Sequence, residues 1–186
     1  MRIVLVRHGR PDVHYPQKIK ANEMYKLIES YNAAGLNETE APPDEIIPVV
    51  KSCNFVVCSD LRRSLDSARA LGLQPDLVDP LFRESGLPYP NLPFFKLSPF
   101  VWSIILRILW FWGYSTNSES HRQAKNRAAS AAQKLIKLAK RNGSVVLIGH
   151  GFLNRFISKE LRLQGWQGPR YSGKKFWSLG IYEFHI

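Results

Sequence analysis

Two short β-branched runs, one near each end of the chain, both stop at a His-Gly corner. The first is Ile3-Val4-Leu5-Val6, leading into Arg7-His8-Gly9. The second is Val145-Val146-Leu147-Ile148, leading into Gly149-His150-Gly151. Four-residue apolar runs bounded by a charge or a glycine read as buried parallel strands. Such strands need cover on both faces, which selects an α/β sheet with helices above and below. Open sheets of this kind place ligand sites at the carboxyl ends of their strands. The pattern therefore predicts two imidazoles at one crevice.

A histidine at a strand end can serve as nucleophile, base or metal ligand. A metal site needs further His, Cys or carboxylate ligands at suitable spacing. His14, His121 and His185 form no HxxxH pattern, so no metal is expected. Arg7 points instead to an anion, because a guanidinium offers a fixed fork of donors to phosphate or carboxylate. A third run, Phe55-Val56-Val57-Cys58, ends in Ser59-Asp60-Leu61-Arg62-Arg63 and enters a helical pattern through Leu71. A helix start after a strand is a ready anion site. Two arginines there are unfavourable unless an anion is present; alternatively they are solvated beside Asp60 and Asp66.

The sequence resembles the histidine phosphatase superfamily, the phosphoglycerate mutase-like group. Arg7-His8-Gly9 resembles its RHG motif, and Ser59 to Ser64 its S-x-L-x-R-A segment. Leu81-Phe82-Arg83-Glu84 is similar to an L-x-x-E segment, and Glu119-Ser120 with Arg127 to a G-E-S…R helix start. Gly149-His150-Gly151 resembles the second-histidine motif. The resemblance implies His8 as nucleophile, Glu84 as general acid and His150 as the third catalytic residue. It implies phosphate binding by Arg7, Arg63, His150 and Gly9, with Arg62 the variable position. No metal or other cofactor is implied. Departures concern the surroundings: Arg10-Pro11-Asp12 follows the RHG, His14 replaces a common Asn, Ser118 replaces a glycine, and Ser85-Gly86-Leu87-Pro88-Tyr89 follows Glu84. The substrate therefore does not carry over from well-known members.

The length suits one domain spanning 1–186, with a variable cap insertion at about 85–117. The leading apolar run is too short for a signal peptide, and two cysteines, Cys53 and Cys58, read as reduced thiols, so a cytoplasmic protein is expected. Charge is lopsided. Residues 1–84 hold 11 Lys and Arg against 12 Asp and Glu, a formal −1; residues 85–186 hold 15 against 3, a formal +12. That excess is either a solvated face or an attractor for an anionic substrate, membrane or nucleic acid. Nucleic acid is disfavoured because no RNA-recognition, KH or zinc-finger pattern occurs.

Helices are predicted at 22–33, before Lys51, and at 61–71, 119–141 and 151–162, with Asp44 able to cap the second. Strands are predicted at 2–7, 54–58, 76–78, 144–149 and 176–185. The segment 80–117 reads as irregular, apart from an apolar helix at 100–112 interrupted by Arg107. Too short to span a bilayer, that helix is a buried cap, a homodimer interface or a peripheral membrane contact. It is expected to shape the substrate entrance and to present Trp102, Trp110 or Trp112 to something apolar. The expected fold is a three-layer α/β sandwich: a mostly parallel sheet, helices on both faces and a small aromatic-rich cap. The expected function is a cofactor-independent phosphomonoesterase working through phosphohistidine on a small phosphorylated substrate. A phosphoglycerate-type mutase and a non-catalytic phosphate-binding scaffold are the alternatives.

Overall fold

A computed structural model describes residues 1–37 and 39–185. Four strands run parallel: β1 (Arg2–Arg7), β2 (Phe55–Cys58), β3 (Leu77–Val78) and β4 (Ser144–Gly149). A fifth, β5 (Leu179–Glu183), pairs antiparallel with β1, and the spatial order is β3-β2-β4-β1-β5. The six helices of the described residues are α1 (Met24–Ala33), α2 (Ile46–Lys51), α3 (Arg62–Ala70), α4 (Pro99–Phe111), α5 (His121–Asn142) and α6 (Gly151–Leu163).

The two-residue period of the strands sorts the core. Ile3, Leu5, Val145 and Leu147 pack with Ala128, Leu135, Leu153 and Ile157 of α5 and α6. Val4, Val6, Val146 and Ile148 pack on the other face with Ile46 and Val50 of α2, Ala68 of α3 and Leu71 just after it. Both faces are covered, as continuous apolar strands require. Most predicted elements form, with ends displaced by a residue or two. Ser120 and Gln123 make a capping box at the start of α5.

Two expectations change, and a third, the apolar helix, gains detail. Asp44 does not cap α2, whose N-cap residue is Glu45 without a side-chain bond. The last strand is shorter than 176–185, because residues 176–178 leave the sheet and turn over the end of β1. Trp177 there has φ 62, a left-handed conformation that no strand contains. The apolar helix α4 is neither wholly buried nor wholly exposed. Trp102, Leu106 and Trp110 face inward, with Trp102 and Leu106 packed on Ala21 and Met24. Phe100, Ile104, Ile108 and Trp112 face out, Trp112 at 82% exposure. Among the described residues, no helix is long and apolar enough to cross a membrane.

Candidate active site

Strand register brings the two His-Gly corners together. Arg7 lies opposite Gly149 in the parallel β1–β4 pair, so the next residue on one strand faces that on the other. The ladder extends one step further, with the His8 N–H donating to the Gly149 carbonyl at 3.0 Å. The rings of His8 and His150 then stand 5.0 Å apart between centroids, tilted by 60°. β2 lies on the other side of β4, with Cys58 opposite Ile148. That register delivers Ser59, whose Oγ is 2.6 Å from His150 Nε2.

His8 Nδ1 lies 2.6 Å from the Gly9 carbonyl oxygen. A carbonyl only accepts, so this contact assigns the proton to Nδ1 and leaves Nε2 unprotonated. Arg63 Nε donates to that Nε2 at 3.3 Å. Burial, then the Arg63 charge, hold the imidazole neutral against a smaller opposing pull from the Gly9 carbonyl, and its pKa is lowered to about 3. Burial also drives His150 well below the usual imidazole range, with His8 and Arg63 adding to the shift. Its Nδ1 has no partner among the described residues, and neither has the buried Nε of Arg7. Two orphaned polar nitrogens at one site call for a ligand.

The first turn of α3 separates its two arginines. Arg63 is 1% exposed; it stacks on the Tyr31 ring and donates to the Tyr31 carbonyl and the Asn32 side chain. Arg62 turns outward, its side chain 71% exposed and 3.5 Å from Asp66. Arg7 stacks over Phe176 at 4.4 Å and donates to the Lys174 carbonyl. So the segment that leaves the sheet before β5 is what holds Arg7. Gly9 serves by close approach. A Cβ there would lie 2.2 Å from the Trp177 indole, and its N–H is taken by Ser67 Oγ at 2.9 Å. Its carbonyl orients His8.

Glu84 is half-buried. Its carboxylate accepts from the backbone N–H groups of Ser85, Phe152 and Leu153 at 2.8 to 3.2 Å, the last two in the first turn of α6. Arg127 braces the segment that carries it, donating to the carbonyls of Leu81, Arg83 and Glu84. Glu119 pairs with Arg127 at 2.5 Å and accepts from Gly86 N–H at 3.3 Å. Arg107, the one charge on α4, turns inward. It lies between the Trp110 and Phe152 rings and donates to the Ser85 and Gly86 carbonyls.

Two cavities meet at Arg7, Glu84 and Phe152. One, of about 310 Å³, is lined by Tyr15, Leu27, Ile28 and Tyr31, with Arg63 and Arg107 at its polar side. The other, of about 500 Å³, adds Arg155, Arg170 and Lys174. His14 and Asp12 are exposed and line neither. All the residues expected from the sequence, Arg7, His8, Gly9, Arg63, Glu84 and His150, converge here. Tyr31, Asn32, Arg107 and Phe176 were not foreseen at the site, because nothing in their local sequence marks them. Among the described residues, no group of three or more His, Cys, Asp or Glu is placed to hold a metal ion.

The open reading frame Rv3214 of Mycobacterium tuberculosis has a similar structure, with TM-score 0.66 at 20% identity, covering 99% of this chain and 91% of that one. A mycobacterial glucosyl-3-phosphoglycerate phosphatase gives 0.61 at 22% identity over 97% and 91%. TTHB049 from Thermus thermophilus gives 0.58 at 18% over 97% and 92%. These likenesses show the fold. No protein with a curated description matches in sequence. The model of the histidine phosphatase superfamily (branch 1) matches residues 3–172. The chain belongs to the histidine phosphatase superfamily, branch 1.

Proposed function

We propose that the protein is a phosphomonoesterase that works through a phosphohistidine on His8 and needs no cofactor. The observation that carries this reading is the unprotonated Nε2 of His8, fixed by the Nδ1–H bond to Gly9 and set beside Arg63 and His150. In the first step the Nε2 lone pair attacks phosphorus while the bond to the leaving oxygen breaks. Glu84 gives that oxygen its proton. Before attack, Arg63 Nε shifts its hydrogen bond from Nε2 to a phosphoryl oxygen. In the second step water attacks phosphorus, the P–N bond breaks, and the Glu84 carboxylate takes the water's proton. Arg7, Arg63 and His150 stabilise the charge on the non-bridging oxygens, as metal ions do elsewhere.

The test is hydrolysis of a generic aryl phosphate, with rapid quenching to trap acid-labile, alkali-stable phosphate on the protein. The wild type should turn over and label; His8→Ala should do neither while keeping its fold. Near-native activity in His8→Ala would overturn the mechanism. A mutase would hydrolyse the aryl ester slowly, and a scaffold would leave it untouched.

A further inference from the structure

The cleft has two arms, and they differ in chemistry. The smaller arm is apolar and aromatic beyond Arg63 and Arg107. The larger arm leaves the site past Glu84 and Phe152 and is ringed by Arg155, Arg170 and Lys174. All three are exposed, and among the described residues none makes an ion pair or a side-chain hydrogen bond. Several other surface arginines have carboxylate partners, while Arg122 and Arg141, outside these cavities, have none among the described residues. Arg10 is paired with Glu40, Arg69 with Asp66 and Arg83 with Asp60. The unpaired set also continues outward. Arg155 and Arg170 are shared with a neighbouring groove of about 560 Å³ that adds Lys125, Lys159 and Arg162 and no carboxylate. Like charges gathered in one concavity repel one another, and they raise the local concentration of anions. Six of the fifteen Lys and Arg of residues 85–186 line this arm and the adjoining groove.

The cationic arm opens beside Glu84, the residue assigned to protonate the leaving oxygen. A phosphoryl group held by Arg7 and Arg63 with its leaving oxygen toward Glu84 can therefore extend its remaining atoms into this arm. The arm's volume is within the roughly 300–1,000 Å³ of small-ligand sites. Phe152 and Tyr171 supply walls for a carbon skeleton, and the guanidinium groups of Arg155 and Arg170 suit phosphate oxygens at its far end. We propose that Arg155, Arg170 and Lys174 form a second anion subsite, and that the substrate is a phosphomonoester whose leaving group carries a further phosphate. This deepens the phosphatase reading and rests on it. The second phosphate can belong to a soluble metabolite or to a lipid headgroup.

The experiment compares fructose 6-phosphate with fructose 1,6-bisphosphate, which differ by one phosphate. The wild type should show kcat/KM at least about tenfold higher for the bisphosphate, and the Arg155→Gln/Arg170→Gln variant should lose that preference. Binding is read separately by calorimetry with fructose 1,6-bisphosphate in the His8→Ala background. Adding the two Arg→Gln changes should weaken it at least about tenfold. Equal turnover of both sugars, with bisphosphate binding indifferent to the two substitutions, would overturn the subsite and leave the phosphatase reading standing. Arginine-dependent bisphosphate binding without turnover of any ester would do the reverse. Vesicles of phosphatidylcholine carrying phosphatidylinositol 4-phosphate distinguish the source. Arginine-dependent phosphate release from the lipid supports the subsite with a headgroup as its ligand. Release confined to the sugar supports it with a soluble ligand.

Discussion

Arg63 Nε points at His8 Nε2 from 3.3 Å, so a cation donates to the lone pair that is to attack phosphorus. The arrangement is stable only while His8 is neutral, and burial together with the Arg63 charge keeps it so, with a pKa of about 3.

Stability should therefore fall with acid well before carboxylates titrate. The folded-state pKa of about 3 lies below the ordinary imidazole value of 6.5. Between those two values the unfolded chain binds more protons than the native state, so stability is full above the upper one and is lost as pH drops toward the lower one. At pH 5 the loss from His8 is on the order of 2 kcal/mol, and His150 shifts in the same direction. Urea midpoints at pH 7 and pH 5 test this. His8→Ala should lose less than the wild type on acidification; equal losses would show that His8 is not held neutral.

The two adjacent arginines should behave in opposite ways. Arg63→Ala removes a donor to the transferring phosphoryl group and should cost about 10²–10³ in kcat. Arg62→Ala breaks only an exposed contact to Asp66 and should change stability by less than about 0.5 kcal/mol and leave kcat near wild type. The reverse order would contradict the geometry.

Glu84→Gln should slow turnover about 10²–10⁴-fold. Alkyl esters, whose leaving groups need the proton, should suffer more than aryl phosphates. An equal loss for both would argue that Glu84 is not the acid.

Arg127 touches no reacting group in this scheme; it is a positioning residue, bound to the carbonyls around Glu84. Arg127→Gln should lower kcat with the same alkyl-over-aryl bias as Glu84→Gln, but more weakly. A rise in KM alone, or an unbiased loss, would indicate a merely structural role.

The two faces of α4 predict a stability contrast. Trp110 is fully buried and its indole N–H donates to the Glu119 carbonyl at 2.7 Å, so Trp110→Ala should cost about 3–5 kcal/mol. Trp112 is exposed, and Trp112→Ala should stay within about 0.5 kcal/mol. Denaturant midpoints with unchanged slopes would check both.

The local pattern of the chain was enough to place the strands, most of the helices and the two His-Gly corners. Alternating burial and helix starts are short-range properties written directly into residue order. The order of motifs named the family, and the two-residue offset from Leu61 picked Arg63 over Arg62. Tertiary structure decided the rest, because it depends on which distant segments return to the same place. The β1–β4 register put His8 beside His150, and the position of β2 put Ser59 against the second imidazole. The chain leaving the sheet at Trp177 clamped Arg7 and shortened the last strand. The inward turn of Arg107 set a cation beside Glu84 where the sequence showed only an interruption in an apolar helix. The basic excess of the second half was countable from composition. That Arg155, Arg170 and Lys174 converge without carboxylate partners is a consequence of α6 and the following loop sharing one cavity. No local periodicity encodes that approach.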